Sequence, residues 1–184
     1  MYIAIIVLVL IAIYIIGTYN GLVRLNNRTK ESWSDIDVQL KRRHDLIPNL
    51  VNSVKGYMTH ERELLENITK ARSTAMDAQK SGDNTALAAA EGQLGGMLGK
   101  LMIAVEAYPT LKADQTVVKL MDELSDTENK IQAARRFYNS NVRDFNTKFE
   151  TFPTNIFAGM LKFTKYTFFE IADATERENV EVKL

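Results

Sequence analysis

Two histidines and the charged residues around them are the side chains best suited to acid–base or metal chemistry in this chain. His44 lies within the run KRRHD, and His60 begins the sequence HERE. A zinc-protease helix requires the pattern H-E-x-x-H, and HERE lacks the second histidine. The glycine-rich run EGQLGGMLGK lacks the G-K-[ST] that ends a phosphate-binding loop, and it follows no predicted strand. Neither pattern indicates an active site.

Composition restricts the chemistry further. The 184 residues include no cysteine, which excludes thiol catalysis and zinc sites built on cysteine. The chain has 23 basic and 23 acidic residues, and this balance argues against nucleic acid as the main partner. We therefore predict a protein that is not an enzyme and has no cofactor or metal. Lys41 to His44 are interpreted as a solvated face, with attraction to anionic partners as the alternative.

A buried arginine is predicted on the first helix after the N-terminal apolar run. Apolar residues there repeat at alternating spacings of three and four, which is typical of a helix in a left-handed bundle. Arg43 interrupts this stripe, and a buried guanidinium needs a carboxylate partner. Glu128 is the first candidate for a structural ion pair and Glu106 the second. Pro48 should bend or interrupt the helix, because its ring clashes with the carbonyl of His44.

Further helices are predicted at residues 60–80, 85–107 and 114–150. The last of them shows the clearest heptad pattern, with apolar residues at Val117, Leu124, Ile131, Tyr138, Phe145 and Phe152. Helix 85–107 contains glycines that predict close helix packing, with a hinge or a partner-docking groove as the alternative; they are Gly92, Gly95, Gly96 and Gly99.

The N-terminal stretch predicts a membrane anchor. Tyr2 to Ile16 is wholly apolar, and a helix from Met1 to Tyr19 would span about 30 Å, the thickness of a hydrocarbon core. A cleaved signal peptide is the rival interpretation, but no Lys or Arg precedes the apolar run and no A-x-A site follows it. Basic residues follow it at Arg24, Arg28 and Lys30, so the N-terminus should lie outside and the body in the cytoplasm.

The predicted fold is all-α, with four parts. Residues 1–19 form the transmembrane anchor, residues 20–153 an antiparallel up-down four-helix bundle with long first and fourth helices, residues 154–172 a membrane-proximal segment and residues 173–184 a polar tail. The membrane-proximal segment either contacts lipid or caps the open end of the bundle. Its aromatic and basic residues are Phe157, Lys162, Phe163, Lys165, Tyr166, Phe168 and Phe169.

Four blocks of sequence resemble the LemA family of bacterial membrane proteins: YNGLV from Tyr19, WSDIDVQLKRRHDLIPNLVNSVKGY from Trp33, EAYPTLKA from Glu106 and ENKIQAARRFYNSNVRDFNTKFETFP from Glu128. The resemblance covers nearly the whole chain. It implies one N-terminal membrane helix, an outside N-terminus, a cytoplasmic antiparallel helical bundle and no established enzymatic activity or cofactor. It also implies assembly and membrane organisation, because one relative is implicated in shaping magnetosome membranes.

The functional expectation is a non-catalytic scaffold in the bacterial inner membrane that contacts lipid and self-assembles as a homo-oligomer at the cytoplasmic face. The alternative is an adaptor that binds another membrane protein, such as a protease or transporter, through the segment from Lys41 to Asn52. A large homogeneous particle in detergent favours the scaffold. A monomer that gains mass only with a partner favours the adaptor.

Overall fold

The computed structural model describes residues 2–158 and 162–170, and every regular element in those residues is a helix. The six helices are α1 Tyr2–Val54, α2 Arg62–Ser81, α3 Asn84–Val105, α4 Pro109–Ala113, α5 Gln115–Glu150 and α6 Thr154–Ala158. The all-helical class was predicted correctly. The short helices α4 and α6 were not predicted.

Helix α1 joins the apolar run to the first amphipathic helix without a break over 53 residues. From Tyr2 to Gly17 almost every residue is exposed, and burial along the helix begins at Thr18 and Leu22. Beyond that point the stripe predicted from the sequence is buried, as Ile36, Leu40 and Ile47 show. One continuous helix therefore has a bare apolar part followed by a part that packs against the rest of the protein.

Capping residues account for several of the helix boundaries. Helix α2 ends at Gly82, whose φ of 73° is the left-handed conformation that glycine adopts without strain. The Asp83 side chain then accepts hydrogen bonds from the first backbone N–H groups of α3. Asp114 does the same for α5, at 2.8 Å from the nitrogen of Thr116. These short polar links set the spacing of the helices.

The described residues divide into two compact units. The second unit contains Gln39–Ile131, and α2 packs against α3 within it. Its core combines the end of α1 with α2, α3, α4 and the start of α5, and each fully buried Leu or Ile stabilises the fold by about 2 kcal/mol. The buried members are Ile47, Leu50, Val54, Met58, Leu65, Ile68, Ala75, Ala90, Leu94, Leu98, Leu101, Val105, Leu111, Val117 and Leu124.

The first unit contains the chain up to Val38 together with Gln132–Phe168. Its core cluster is Leu22, Phe145 and Ala158, against which Phe149, Phe163 and other aromatic residues pack. Contacts of α1 with α5 fall in a regular register, in which partner numbers on α5 decrease as those on α1 increase. Leu22 shares a cluster with Phe145, Thr29 hydrogen-bonds the carbonyl of Asn141, and the ring of Trp33 lies 5.2 Å from that of Tyr138.

The heptad pattern of α5 is buried through Phe145 but fails at Phe152. Val117, Leu124, Ile131 and Tyr138 are at most 2% exposed, whereas Phe152 is 74% exposed. Helix α5 ends at Glu150, and Pro153 follows Phe152 in the chain. The helical period no longer applies beyond Glu150, so Phe152 leaves the buried stripe.

Candidate functional site

Arg43 lies at the centre of a buried ion cluster in the second unit, which we define as Arg43, His44, Glu91 and Glu128. Its Nη1 donates to Glu128 Oε2 at 2.5 Å, and its Nη2 donates to Glu91 Oε2. His44 Nε2 lies 2.8 Å from Glu91 Oε1. The side chains of Arg43, His44 and Glu91 are 1%, 3% and 0% exposed, while that of Glu128 is 38% exposed.

The predicted pair of Arg43 with Glu128 is present in the structure. Arg43 lies between the buried residues Leu40 and Ile47, so the period of α1 directs its side chain inward. Glu106, the second candidate, is exposed at the C-terminal end of α3. The ion pair links α1 to α5, as expected of a residue that fixes the register between helices.

Glu91 is the member of the cluster that the sequence analysis missed. It is 1% exposed, and it lies on α3 four residues after Leu87 and three before Leu94, which are both buried. Ala90, which is also buried, fills the stripe position between Leu87 and Leu94, so the apolar stripe of α3 has no gap that would indicate Glu91. A buried carboxylate at this position supplies the counter-charge that Arg43 requires.

The environment of Glu91 favours its ionised form. Burial by itself raises the pKa of this carboxyl, but the hydrogen bond from His44 and the positive charge of Arg43 outweigh it and leave the pKa below its usual value. A carboxylate only accepts, so Nε2 of His44 must carry the proton of their shared hydrogen bond. The cluster therefore holds Glu91 as an anion between two donors.

Pro48 does not interrupt α1, which continues through it to Val54. Proline has no backbone N–H, so the carbonyl of His44 loses its partner one turn ahead. Arg72 of α2 replaces that donor, with its Nε 2.6 Å from the His44 carbonyl oxygen. The carbonyl that Pro48 leaves without a helical donor therefore forms a hydrogen bond between α1 and α2, while the bend at Pro48 remains a prediction.

The interpretation of Lys41 to His44 as a solvated face is half right. Lys41 and Arg42 are exposed, whereas Arg43 and His44 are buried in the ion cluster. The cluster has little room for chemistry on a substrate, because the polar atoms of His44 and Glu91 face each other and both side chains are closed to solvent. Its geometry suits a structural role that holds α1, α3 and α5 together.

The glycines of α3 were predicted to allow close helix packing, and the structure contradicts this at Gly96 and Gly99. Both are exposed, and no described neighbour lies within 4 Å of where their Cβ would be. At Gly95 the nearest atom is Nη1 of Arg43 at 4.0 Å, an ordinary contact. Gly92 is half-buried, and its packing stays a prediction. The presence of glycines in a helix does not by itself indicate whether they face a neighbouring helix or solvent.

The aromatic segment after α6 packs against the first unit. We call residues 162–168 the clasp segment, and its rings of Phe163 and Tyr166 lie 6.1 and 5.2 Å from that of Phe145. The side-chain amide of Asn146 donates to the Tyr166 carbonyl at 2.9 Å and accepts from its N–H at 3.1 Å. Tyr138 donates its hydroxyl to the Thr167 carbonyl at 3.1 Å. The segment therefore packs against α5, while capping of the open end of the bundle and contact with lipid stay predictions.

The other residues predicted to be membrane-proximal differ in exposure. Lys165 pairs with Glu150 at 2.7 Å, and Lys162 is exposed. Phe168 is 47% exposed, whereas Phe169 is buried. The side chain of Phe157 and the tail of residues 173–184 lie outside what the structure describes.

Within the described residues, fold and site together define a class: a helical protein with a largely buried ion cluster and an N-terminal helix long and apolar enough to cross a membrane. The LemA family profile matches residues 32–184, and protein LemA of Metamycoplasma hominis is 32% identical over 91% of this chain and 74% of its own length. The chain belongs to the LemA family, which confirms the resemblance. The match begins after the apolar run, so the membrane prediction rests on that run itself.

Two further relatives are magnetosome proteins. The chain is 26% identical to magnetosome protein MamQ 2 of Paramagnetospirillum magneticum, over 83% of this chain and 64% of the relative. It is 25% identical to magnetosome protein MamQ of Magnetospirillum gryphiswaldense, over 82% of this chain and 64% of the relative. The chain thus spans slightly less than two thirds of either one. None of these relatives has the name of an enzyme.

Proposed function

We propose that this chain is a non-catalytic scaffold that is anchored in the bacterial inner membrane and self-associates at the cytoplasmic face. The exposed apolar part of α1, from Tyr2 to Gly17, is the observation that supports it most strongly. Large side chains there are bare, including Ile3 at 79% exposure and Leu8 at 66%. A lipid bilayer accommodates these apolar side chains, and the backbone of α1 needs no water there because a helix forms its backbone hydrogen bonds internally.

Charge supports the orientation in this proposal. Arg24, Arg28 and Lys30 follow the apolar run within α1, and basic residues beside a span stay on the cytoplasmic side. Tyr14 and Tyr19 are 41% and 43% exposed near the inner end, where aromatic rings favour the interface. The N-terminus then lies outside, and the helices of residues 20–153 form an antiparallel bundle in the cytoplasm.

Self-association draws support from the glycines at this boundary. Gly17 and Gly21 form a G-x-x-x-G pair, and no described neighbour lies within 4 Å of either Cβ position. A second α1 could approach closely along that open face. The MamQ relatives carry the name magnetosome proteins, which agrees with the membrane-organising role that we propose for this chain.

The mass of the full-length protein in detergent tests the scaffold. Light scattering should give a homogeneous particle of several chains, and replacing both glycines, by Gly17→Leu and Gly21→Leu, should reduce its mass. Gly96→Leu is the matched control, because Gly96 is exposed on α3 with no neighbour near its Cβ position. A wild-type particle of one chain would overturn self-association.

An adaptor function is the second candidate, and a cleft in the second unit favours it. The cleft has a volume of about 690 Å³ and overlaps the predicted segment at Val51 and Asn52. Its apolar lining includes the buried Met58 and Leu65, and its other lining residues are Lys55, Thr59, Arg62, Glu66 and Thr69. An acidic amphipathic segment of another membrane protein would suit this lining.

Photocrosslinking from the cleft tests the adaptor. A photoreactive residue at Asn52 should form one discrete product in native membranes, and Lys55→Glu should reduce its yield. The same residue at Thr74, which is exposed on α2 outside the cleft lining, is the control. Identical products from both positions would contradict the adaptor.

A further inference from the structure

Two large apolar side chains remain exposed where the first unit turns from α5 into α6. Phe152 is 74% exposed and Ile156 is 56% exposed. On α6, Thr154 and Ala158 are 1% and 0% exposed, so this helix packs one face inward and leaves Ile156 on the other. Exposed apolar side chains are common singly, but a pair at one turn indicates a surface that contacts something.

The register of the first unit places this turn beside the inner end of the apolar run. The cluster of Leu22 with Phe145 and Ala158 puts both the end of α5 and α6 at the level of Leu22. The ring of Phe163, in the clasp segment, lies 6.1 Å from that of Tyr19. Burial along α1 begins at Thr18, so packing by the rest of the unit stops at this level.

The charges near the turn suit an anionic surface. Lys148 lies in the last turn of α5, Lys162 is exposed at the start of the clasp segment, and Arg24 is exposed on α1. Of the acidic groups on the last part of α5, Glu150 is paired with Lys165 at 2.7 Å, and Asp144 is exposed one turn before Lys148. Basic residues within a Debye length of an anionic leaflet are attracted to it, and aromatic and aliphatic groups favour its interface.

We propose that the turn carrying Phe152 and Ile156 is a second membrane contact, at which both side chains enter the boundary between headgroups and acyl chains of an anionic leaflet. Leu22, Phe145 and Ala158 share a cluster, so the turn lies at the level where the apolar run of α1 ends, which is why we assign it to lipid. This proposal rests on the anchoring proposed above. Its consequence is that the first unit is held against the bilayer at two points, by α1 and by the turn.

Single cysteines can test this contact, since the natural chain has none. Full-length protein carrying a spin label at Ile156→Cys is reconstituted in vesicles of phosphatidylcholine and phosphatidylglycerol. Accessibility to oxygen is compared with accessibility to a water-soluble nickel chelate. The control is Ala133→Cys, an exposed site of the same unit that lies 17 residues before Glu150 on α5, roughly 25 Å away.

The label at Ile156 should favour oxygen and the label at Ala133 should favour nickel. Adding Phe152→Asp should shift the Ile156 label toward nickel. Equal nickel accessibility at Ile156 and Ala133 would overturn the proposal. Shielding of Ile156 from both reagents, with spin–spin broadening that dilution by unlabelled chain removes, would also overturn it and assign the turn to a second copy.

A third label at Leu10→Cys separates failure of this proposal from failure of the anchor. Leu10 lies within the apolar run and is 60% exposed. Oxygen preference at Leu10 with nickel preference at Ile156 would leave the anchor intact and reject the second contact. Nickel preference at both positions would reject the anchor, and the second contact with it.

Discussion

Removing the charge of Glu91 should destabilise the second unit far more than removing a surface carboxylate on the same protein. Glu91→Gln leaves the Arg43 guanidinium, which is 1% exposed, with Glu128 as its single carboxylate. Loss of one partner from a buried ion pair costs about 3–5 kcal/mol, and the remaining Glu128 contact places the expected cost at the lower end, about 3 kcal/mol. That cost is a large share of the stability of an ordinary domain.

The matched control is Glu123→Gln. Glu123 pairs with Arg42 at 4.0 Å, and their side chains are 39% and 43% exposed. Exposed pairs contribute between about 0 and 1 kcal/mol, because water screens them and long side chains lose freedom. The two variants therefore remove the same chemical group from sites that differ in burial.

Hydrogen exchange of α3 amides in the detergent-solubilised protein is the assay, since it reports local opening free energy. Fluorescence of Trp33 is unsuitable, because that residue lies in the first unit. We expect Glu91→Gln to accelerate exchange of the α3 amides about a hundredfold, because each ~1.4 kcal/mol of opening free energy changes the opening equilibrium tenfold. Glu123→Gln should change it by less than about fivefold. Equal acceleration by both variants would refute the assignment of the cluster as a structural centre.

The remaining predictions concern pH, the proline and the clasp segment. The pKa of Glu91 is lower in the folded state than its unfolded value of 4.5, so this group contributes stability above pH 4.5 that is lost as pH falls through the folded-state pKa. The melting temperature of Glu91→Gln should therefore fall less steeply with decreasing pH than that of the wild type, and an equal fall in both would contradict this. Arg72→Met should cost about 1.5–3 kcal/mol, and less when Pro48→Ala restores the missing N–H; equal costs in both backgrounds would refute the replacement of that bond. Asn146→Ala should speed protease cleavage in the clasp segment, whereas Asn155→Ala, at an exposed site, should not.

Periodicity predicted the buried arginine because helical spacing alone determines which residues share a face. Arg43 lies on the buried stripe of α1, whose neighbouring members are apolar, so its guanidinium requires a carboxylate partner. Glu128 was found because it lies beside the heptad of α5. Glu91 was missed because the neighbouring Ala90 completes the apolar stripe of α3, whereas the stripe of α1 has a polar residue at one of its own positions.

Other features depend on information that a period does not contain. The heptad of α5 predicts which face is buried but not that the helix ends before Phe152. The joining of the anchor and the first amphipathic helix into one α1 agrees with the absence of proline between Tyr19 and Arg43, which the sequence already shows. The donation of Arg72 to the carbonyl freed by Pro48 requires the packing of α2 on α1, which no local pattern encodes.

The most direct test of the account is the membrane attachment of a chain that lacks residues 2–19. The intact protein should float with membranes in a density gradient and resist extraction by alkaline carbonate. The shortened protein should leave the carbonate-washed membrane and remain at the bottom of the gradient, because what remains of α1 has no bare apolar surface long enough to span a bilayer. The same flotation and the same resistance to carbonate in both proteins would contradict the anchor.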